Sequence, residues 1–583
     1  MERTAIKIAG ASGMGLLSIG HIISRALKDL GFYMTIDREY PSLIMGGSSN
    51  VQIEFGTKKV RSLSNKVDIV VALDRSGLLE HITSIKKGGI LIHGYERHNF
   101  IPELKNLADK NGVNVLYLPA RQIAKSLGGS SVMVNMVLLG LLWRVLGFDI
   151  NELREEVNRQ FKSKPELLKI DLKCINAGYK AKEIGEIKQL DIKKNSKVPK
   201  TLLIDGTMSL SLGAIHSGLR NYYAYPMSPA SGILTYIAKT SHETGIVVKQ
   251  VEDEITAVQM VIGSMHAGSR SMTATSGGGY DLMTESVSLS GITETPLVIV
   301  IGQRPGPATG LPTWTCQGDL NLAIHSAHGE FPRAVIACSD QESSFELIQH
   351  AFNIAEVYQI PVIVLTEKEV LEKYSTINPF KQKSIPIKRG LVTNKKELEN
   401  LVAADRFALT ESGISKRWIP GSSKNYYYAN GDEHYVDGTL TEDGEHVRSM
   451  MEKRMRKEKT LKNNIPEPII HGTKNKADIS FIGWGSSKTV MLDVIEELKD
   501  EGVNINYLHY DYVWPIKEKA AIKFFKENKN VHLIENNFKG QLGEHMESLT
   551  GEKFKGKLLK YNGRPFYFDE VVSYIRKRVK SKR

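Results

Sequence analysis

Cysteine is scarce in this sequence. Among 583 residues there are three, Cys174, Cys316 and Cys338, which are far apart and form no CxxC pair. So few cysteines exclude a disulfide-bonded scaffold. They also leave too few thiolates for an iron–sulfur cluster, which normally takes four cysteines. Any such cluster would need ligands from another polypeptide.

Long apolar runs are also missing. The longest, VMVNMVLLGLLWRVLGF from Val132, is interrupted by Asn135 and Arg144. It falls short of the ~20 apolar residues that span a bilayer, and it is typical of a buried helix. The N-terminus, MERTAIKIAG, enters a strand pattern at once and shows no signal peptide. We expect a cytoplasmic protein without membrane association.

The net charge of +12 comes without a nucleic-acid signature. The lysines are spread along the chain and peak in linker-like stretches and in the tail SYIRKRVKSKR, without interleaved aromatic residues. With 41% hydrophobic and 24% charged residues, the composition is that of a globular protein. We therefore expect no nucleic-acid partner, but a basic surface that attracts acidic partners or anionic cofactors.

The chain is too long for one core, and at roughly 150 residues per domain three or four domains are expected. Short apolar strands alternate with helical patterns in three blocks, which favours parallel α/β sheets. The loop-rich stretch 406–464 fits either an arm that wraps a partner or a solvated excursion. We predict an α/β fold of three doubly wound, mostly parallel-sheet domains. The predicted segments are a domain at 1–182, a linker at 183–200, a domain at 201–385, a loop-rich connecting segment at 386–470 and a domain at 471–583.

Glu254 is the first candidate for chemistry. It begins a helical pattern in KQVEDEITAVQMVIGSMHAG and heads the apolar stripe of that helix. The neighbouring Glu252 and Asp253 lie off the stripe and are explained as first-turn acids that favour the helix dipole. A buried carboxylate costs several kcal/mol unless a group hydrogen-bonds to it or its pKa moves. The pattern therefore predicts a partner for Glu254.

Two glycine-rich turns precede buried elements in the first block. GASGMG lies between a strand and a helix, where backbone amides can meet an anion. Asp37 ends the next strand at the spacing of a ribose-binding acid, so a dinucleotide site stays open beside a generic anion site or a tight packing turn. MGGSSN, before the next strand, offers further amides. The candidate residues are Gly10, Gly13, Gly15, Gly46 and Gly47.

Three more motifs follow strands of the second block, at the ends where α/β sheets bind ligands. In YPMSPAS, prolines bracket Ser228, although Ser231 could simply cap a helix. In TATSGGG, the glycines suggest a closely approaching ligand or backbone, or a flexible turn. In GQRPGPATG, Arg304 could take a carboxylate or form a surface salt bridge. The candidates are Tyr225, Pro226, Ser228, Ser276, Gly277, Gly278 and Arg304.

In this order, YPMSPAS, VEDE, TATSGGG and GQRPGPATGLPT resemble the thiamine pyrimidine-binding domain of 2-oxoacid:ferredoxin oxidoreductases. FIGWGSSK and IENNFKGQLGEHM resemble the transketolase-C-like domain of their alpha subunit, and ALTESGISKRWIPG, NGDEHYVDG and EKRMRKE resemble the segment before it. GASGMG and YPSLIMGGSSNVQI are similar to the gamma domain, which is fused ahead of alpha in the 2-oxoglutarate type.

The resemblance implies a role for each candidate residue. Glu254 would be the catalytic acid that hydrogen-bonds N1′ of the thiamine aminopyrimidine and so promotes the nucleophilic ylid. Ser228 and Arg304 would hold the 2-oxoacid. Relatives commonly carry Thr where this chain has Ser228, and Arg where it has Met45. The resemblance also implies cofactor binding by Tyr225, Pro226, Ser276, Gly277 and Gly278, and coenzyme A binding by the gamma-like domain with Gly10, Gly13, Gly15, Gly46 and Gly47.

The family's diphosphate and magnesium motif, GDG followed by Asn, is missing; this chain has NGDE, VDGT and QGDL. The resemblance therefore implies a beta subunit that supplies Mg²⁺ and the [4Fe–4S] cluster, with no metal site on this chain. It further implies ferredoxin as electron acceptor and an (alpha–beta)₂ assembly.

These observations predict the alpha subunit of an enzyme that converts a 2-oxoacid and coenzyme A to acyl-CoA, CO₂ and reduced ferredoxin. The gamma-first fusion favours 2-oxoglutarate, with pyruvate or a branched-chain 2-oxoacid as alternatives. An NAD-dependent dehydrogenase built on GASGMG and Asp37 is a rival hypothesis. A noncatalytic scaffold is another, in which prolines and glycines only shape a partner surface.

Overall fold

The computed structural model describes residues 3–42, 47–95, 102–185, 189–195, 197–381, 385–474 and 476–580. The chain divides into two compact units. The first contains residues 1–204, 373–379 and 566–583, and the second contains 205–372 and 380–565. Strand Tyr374–Ile377 and helix Phe568–Lys580 thus belong to the first unit, although the sequence division assigns them to later domains.

The first unit is built on a mixed eight-stranded sheet. The pairs on one side of strand Arg3–Ala11 are parallel, whereas strand Ser48–Gly56 pairs antiparallel with it on the other side. In order across the sheet the strands are Asn114–Tyr117, Ile85–His93, Val67–Ala72, Arg3–Ala11, Ser48–Gly56, Tyr33–Glu39, Tyr374–Ile377 and Leu202–Asp205.

Helices cover this sheet, and the long apolar run of the sequence forms the most buried of them. Helix Val134–Val145 packs so closely on helix Pro165–Tyr179 that Gly140 and Gly178 each leave no space for a Cβ against the other helix's backbone. None of the helices in the described ranges combines the length and apolarity needed to cross a membrane. The α-helices of this unit are Leu16–Asp29, Arg75–His81, Pro102–Asn111, Ala120–Ser126, Val134–Val145, Ile150–Phe161, Pro165–Tyr179 and Phe568–Lys580.

The second unit contains two sheets. The larger is parallel except for its edge strand Tyr512–Trp514, which pairs antiparallel with Ala334–Ala337. Its strands, in order, are Tyr512–Trp514, Ala334–Ala337, Pro361–Glu367, Leu297–Gln303, Ser271–Thr275, Asn221–Ala224 and Val247–Gln250. The smaller sheet has one antiparallel edge pair. Its strands are Ile469–Gly472, Ile505–Tyr510, Ile479–Trp484, Val531–Glu535 and Gly556–Leu559.

The central strands of the larger sheet run through mostly apolar sequence, as is usual for strands of a parallel sheet that are covered on both faces. Strands Leu297–Gln303 and Pro361–Glu367 are buried along their full length. The α-helices of the second unit are Gly206–His216, Ser231–Thr244, Glu254–His266, Gly277–Asp281, Thr284–Ile292, Leu320–His325, Gln341–Tyr358, Lys368–Glu372, Lys395–Leu398, Gly444–Asn464, Ser487–Asp500, Glu518–Glu527 and Gln541–Thr550.

The connecting segment of the sequence is packed through buried charges. Lys453 and Lys457 lie on opposite oxygens of Glu294, each at 2.5 Å, and all three side chains are almost fully buried. Burial alone would raise the pKa of Glu294, but the two ammonium groups hold it below its ordinary value. Arg417 of the same segment bonds Glu356 at 3.3 Å. The segment is therefore anchored to the larger sheet's layer of helices, which excludes a solvated excursion.

Candidate functional site

The four motifs of the second block converge at one edge of the larger sheet. Strands Asn221–Ala224, Ser271–Thr275 and Leu297–Gln303 are parallel neighbours, so their carboxyl ends meet at that edge. The helix that begins at Glu254 follows the adjacent strand Val247–Gln250. Convergence at the carboxyl ends of parallel strands is where α/β sheets place ligand sites.

Glu254 is buried, with 3% of its surface exposed, as the apolar stripe predicts. It is the first residue of helix Glu254–His266, and Asp253 caps that helix by accepting a hydrogen bond from the Thr256 amide at 2.8 Å. The exposed Glu252 accepts a hydrogen bond from the Thr256 hydroxyl at 2.9 Å. The two neighbouring acids thus accept the hydrogen bonds of the first helical turn, and the carboxylate of Glu254 does not cap the helix.

Thr275 and Gly279 fix the position of the Glu254 carboxylate. The buried Thr275 hydroxyl donates a long hydrogen bond of 3.5 Å to Glu254 Oε1. A Cβ on Gly279 would lie 2.5 Å from the same oxygen and would overlap the Thr275 hydroxyl. Glycine is therefore required at 279, because any side chain there would displace the carboxylate. Both residues belong to the TATSGGG motif that the sequence places at this strand end.

Arg304 and Ser228 come together, as the sequence predicts. Arg304 Nη1 donates a hydrogen bond to the Ser228 carbonyl oxygen at 2.8 Å. Ser228 precedes a cis peptide bond to Pro229, whose ring packs against the backbone of Gly302, 3.0 Å from the place of its missing Cβ. Arg304 is half-buried, and this burial lowers its pKa while attraction to Asp319 opposes the change.

The residues beside Ser228 differ in accessibility. Tyr225 is 39% exposed, and Pro226 is exposed. Ser231, considered as a helix cap, is instead the first helical residue; Ala230 occupies the cap position, without a side-chain hydrogen bond. A helix cap by the Ser231 hydroxyl therefore does not explain this motif. The two prolines instead fix the backbone on either side of Ser228.

In the glycine run Gly277 to Gly279, the first and last glycines pack against neighbouring carboxylates, whereas the middle one is exposed. Gly277 faces the carboxylate of Asp319, whose oxygens lie 2.7 Å from the place of its missing Cβ. Gly279 faces Glu254, as described above. Gly278 is exposed, and a Cβ on it would meet nothing within 4 Å. The backbone at 278 thus presents a free surface at the sheet edge, open to a ligand or another chain.

Asp319 is a member of this site that the sequence did not reveal. It occupies the cap position of helix Leu320–His325, but its side chain makes no capping hydrogen bond. Its backbone amide donates to Gln303 Oε1 at 3.0 Å, which ties it to the residue before Arg304. Burial raises the pKa of Asp319 to about 7, the Asp281 carboxylate adds to the rise, and Arg304 opposes it.

Three buried polar atoms at this edge have no hydrogen-bond partner within the described ranges. They are Ser276 Oγ, Gln303 Nε2 and Asp319 Oδ2. Buried polar groups are nearly always hydrogen-bonded, and each exception costs about 1–3 kcal/mol. A cluster of such atoms beside a buried carboxylate is typical of a binding site for a polar ligand.

Comparison with known proteins identifies the family. Residues 5–181 match the family model for pyruvate ferredoxin/flavodoxin oxidoreductase, and residues 212–459 match its thiamine-diphosphate-binding domain. The 2-oxoacid:ferredoxin oxidoreductase subunit alpha of a Sulfolobus species is 32% identical over 98% of this chain and 96% of that protein. This chain belongs to the 2-oxoacid:ferredoxin oxidoreductase alpha-subunit family.

A solved relative of this alpha subunit has the same fold throughout. The 2-oxoglutarate:ferredoxin oxidoreductase of Magnetococcus marinus, with 2-oxoglutarate, coenzyme A and succinyl-CoA bound, is 29% identical, with a TM-score of 0.92. The match covers 99% of this chain and 100% of that one. The 2-oxoglutarate oxidoreductase subunit KorA of Mycobacterium tuberculosis is 25% identical over 99% of this chain and 91% of its own.

These findings confirm the predicted family, the predicted α/β fold and the prediction of an enzyme subunit. An alpha subunit implies a partner beta subunit. The rival hypotheses of an NAD-dependent dehydrogenase and of a noncatalytic scaffold lose their support. The first sheet gives an independent reason against a dinucleotide fold, because antiparallel strand Ser48–Gly56 separates strand Tyr33–Glu39, with Asp37, from strand Arg3–Ala11.

The gamma-like part of this alpha subunit brings its two glycine turns together. The Ser12 amide donates to the Gly47 carbonyl oxygen at 3.3 Å, and the Ser12 and Ser49 hydroxyls lie 2.7 Å apart. Gly13 and Gly15 have positive φ angles of 94° and 75°. Gly15 starts helix Leu16–Asp29, where no side chain caps the free amides. Gly10, by contrast, packs against Leu73.

The predicted residues Gly46 and Met45 lie outside the described residues. Gly47 has a positive φ of 76° and directly precedes strand Ser48–Gly56.

Within the described ranges, no group of three or more His, Cys, Asp and Glu side chains could hold a metal ion.

Proposed function

We propose that this alpha subunit, with its beta partner, catalyses oxidative decarboxylation of 2-oxoglutarate. The 2-oxoacid and coenzyme A become succinyl-CoA and CO₂, and a pair of electrons passes to ferredoxin. The ligands named for the Magnetococcus relative and the substrate named for the Mycobacterium relative support this choice among 2-oxoacids.

The observation that carries the proposal is the buried carboxylate of Glu254 at the edge that also holds Arg304. Its surroundings fit the aminopyrimidine of thiamine diphosphate. Ser276 Oγ and Gln303 Nε2 are buried at the same edge without protein partners, as a polar ring would require. Gly278 leaves the backbone accessible beside them. Tyr225 and Pro226, which directly follow strand Asn221–Ala224, would also contact the cofactor.

When bound, thiamine diphosphate supplies a nucleophilic carbon and an electron sink for decarboxylation. Glu254 would hydrogen-bond the pyrimidine nitrogen N1′ and so favour the tautomer that can remove a proton. Thr275 and Gly279 hold that carboxylate in place. The charge on Glu254 is effective because the carboxylate is buried, where electrostatic attraction is stronger than in solvent.

Arg304 binds the carboxylate of the 2-oxoacid. Its Nη1 is anchored on the Ser228 carbonyl oxygen, which leaves the other guanidinium donors for the substrate. Ser228 offers its hydroxyl beside them. The gamma-like domain binds coenzyme A through the amides of its glycine turns, at Gly10–Gly15 and at Gly47, which suit phosphate groups.

The beta subunit provides what this chain lacks. It would supply the Mg²⁺ ion for the diphosphate and the [4Fe–4S] cluster for electron transfer to ferredoxin. The active site then lies at the interface of the two subunits, in an (alpha–beta)₂ assembly. Each subunit would then contribute part of the cofactor site, Glu254 from this chain and the diphosphate-binding motif from the beta subunit.

Reconstitution with the beta subunit tests the proposal. The complex is expected to reduce ferredoxin with 2-oxoglutarate and coenzyme A, only in the presence of thiamine diphosphate and Mg²⁺. Pyruvate and a branched-chain 2-oxoacid, assayed in parallel, should give lower kcat/KM. A higher kcat/KM for either would reject 2-oxoglutarate as the substrate. Thiamine-dependent turnover by this chain alone would refute the shared site.

A further inference from the structure

Asp319 is held at the end of the strand that leads to the proposed substrate arginine, and the structure shows no ion pair or hydrogen bond for its carboxylate within the described ranges. Its amide bonds the side chain of Gln303, so its position follows the end of the strand that leads to Arg304. Its Oδ2 is buried and has no hydrogen-bond partner within the described ranges. It does not cap the helix that it precedes. A buried carboxylate oxygen without a hydrogen-bond partner lowers the stability of the fold. We therefore expect that a function retains it.

The charged groups around Asp319 favour one interaction. Arg304, on the loop after strand Leu297–Gln303, attracts it, and no ion pair within 4.0 Å joins the two in the described part of the chain. Asp281, at the exposed end of helix Gly277–Asp281, repels it. Cys316, on its own loop, stays a neutral thiol because burial raises its pKa to about 12. Glu254 faces the other side of the glycine run, at Gly279.

We infer that Asp319 competes with the substrate carboxylate for the guanidinium of Arg304 and thereby sets the affinity of the enzyme for its 2-oxoacid. The inference rests on the proposed role of Arg304. The guanidinium of Arg304 would attract two carboxylates, the side chain of Asp319 and that of the incoming substrate. Because like charges in a partly buried site repel strongly, both carboxylates cannot remain ionised there without a loss of affinity.

Substrate binding is therefore coupled to a proton. The carboxyl of Asp319 has its pKa near 7, so it is neutral below that pH and ionised above it. The neutral form leaves Arg304 to the substrate, whereas the ionised form must take up a proton on Oδ1 or Oδ2 from solvent as the substrate binds. KM for the 2-oxoacid should accordingly rise as pH increases through 7. A coupling of one pKa unit corresponds to a tenfold change in KM.

The test measures kcat and KM for the 2-oxoacid between pH 6 and 8.5 in the reconstituted alpha–beta complex. Asp319→Asn keeps the size of the side chain and the backbone bond to Gln303 but removes the charge. We expect its KM to be low and flat with pH, with kcat close to the wild-type value. Wild-type KM should rise roughly tenfold over the same range. A decrease in kcat, or a raised KM in the variant, would overturn the inference.

Two further variants, one single and one double, separate the inference from the proposed function. Arg304→Gln should raise KM, and adding Asp319→Asn to it should cause no further change, because Asp319 acts through Arg304. If Arg304→Gln raises KM but Asp319→Asn alters neither KM nor its pH profile, the inference fails and the role of Arg304 stands. If Arg304→Gln leaves KM unchanged, that role fails and the inference fails with it.

Asp281→Asn changes the charge near Asp319 without replacing Asp319 or Arg304. Removing the repulsion from Asp281 should lower the pKa of Asp319, so the rise in KM should move to lower pH. An unchanged midpoint would contradict the electrostatic mechanism even if Asp319→Asn failed to fold.

Discussion

A Cβ on Gly279 would lie 2.5 Å from Oε1 of Glu254, so this glycine creates the space in which the buried carboxylate sits. The carboxylate is thus placed by the glycine run as much as by its own helix. The proposed chemistry depends on this placement, because a hydrogen bond to the cofactor ring tolerates little displacement.

Gly279→Ala should displace Glu254 and remove most activity. The methyl group would overlap Thr275 Oγ1 and Glu254 Oε1, and overpacking of this kind costs about 1–3 kcal/mol of stability. Turnover of the reconstituted complex and the thermal midpoint measure both effects. Gly263→Ala is the matched control, since Gly263 lies exposed in the helix that Glu254 begins, with nothing within 4 Å of its Cβ. It should keep full activity and gain slightly in stability. Normal turnover of Gly279→Ala would disprove the placement argument.

Glu254→Gln should leave the fold intact and lower kcat by roughly a hundredfold or more, the scale of a lost proton-transfer role. Glutamine has the same shape but cannot provide the charge that favours the reactive tautomer. Steady-state assays, with cofactor binding followed by circular dichroism, would show the loss of catalysis separately from any loss of affinity. Glu252→Gln, two residues earlier and exposed, should behave as wild type. Equal rates in the two variants would rule out the proposed role.

Gly15→Ala should raise KM for coenzyme A severalfold and leave KM for the 2-oxoacid unchanged. Gly15 has φ 75° at the free start of a helix, where alanine is strained by about 1–2 kcal/mol and would shift the amides. Gly88→Ala carries the same strain, at φ 80° in the same unit, with open space around it. It should cost similar stability without affecting coenzyme A. An effect of both variants on coenzyme A would indicate general destabilisation instead.

Lys488→Met should destabilise the second unit by about 3 kcal/mol at pH 7, because it leaves the carboxylate of Asp340 without its ion pair at 2.8 Å. Burial alone would raise the pKa of Asp340, but Lys488 and hydrogen bonds from Ser343 hold it below its ordinary value. A depressed carboxyl pKa contributes stability above the unfolded pKa of about 3.9, and that contribution is lost as pH falls through the folded pKa.

Between pH 7 and 4 the wild-type contribution of this pair is constant, but without Lys488 burial raises the pKa of Asp340. The unpaired carboxyl of Lys488→Met should take up a proton as pH falls over this range, so the difference in stability between wild type and variant should shrink. Urea midpoints at the two pH values measure it. Lys523→Met removes an exposed lysine from an i,i+4 pair and should change the midpoint little at either pH. A pH-independent difference would mean that the ion pair is not the cause.

The sequence predicted Glu254 and Arg304 because each prediction needs only local information. The apolar stripe at Ala257, Val258 and Val261 places Glu254 on the buried face of its helix, and the structure confirms that burial. Arg304 directly follows a mostly apolar strand, and the carboxyl ends of such strands meet at one edge of a parallel sheet. The roles of these residues in catalysis stay predictions.

Asp319 could not be found in this way. An acid directly before an apolar helix is the usual sign of a cap, and only the three-dimensional arrangement shows that its side chain turns to Gly277 instead. The anchoring of the connecting segment was equally hidden. Lys453 and Lys457 belong to a highly charged helix, and their burial depends on Glu294, more than 150 residues away in the sequence.

By itself the sequence determined the three α/β blocks, the family and the strand ends that carry the candidate residues, because periodicity and turn residues act over short stretches of chain. Tertiary structure alone decided that strand Tyr374–Ile377 and helix Phe568–Lys580 join the first unit, and that Asp319 packs against Gly277 and bonds Gln303. Such pairings depend on which surfaces are buried together, and residues far apart in the chain carry no local mark of their eventual neighbours.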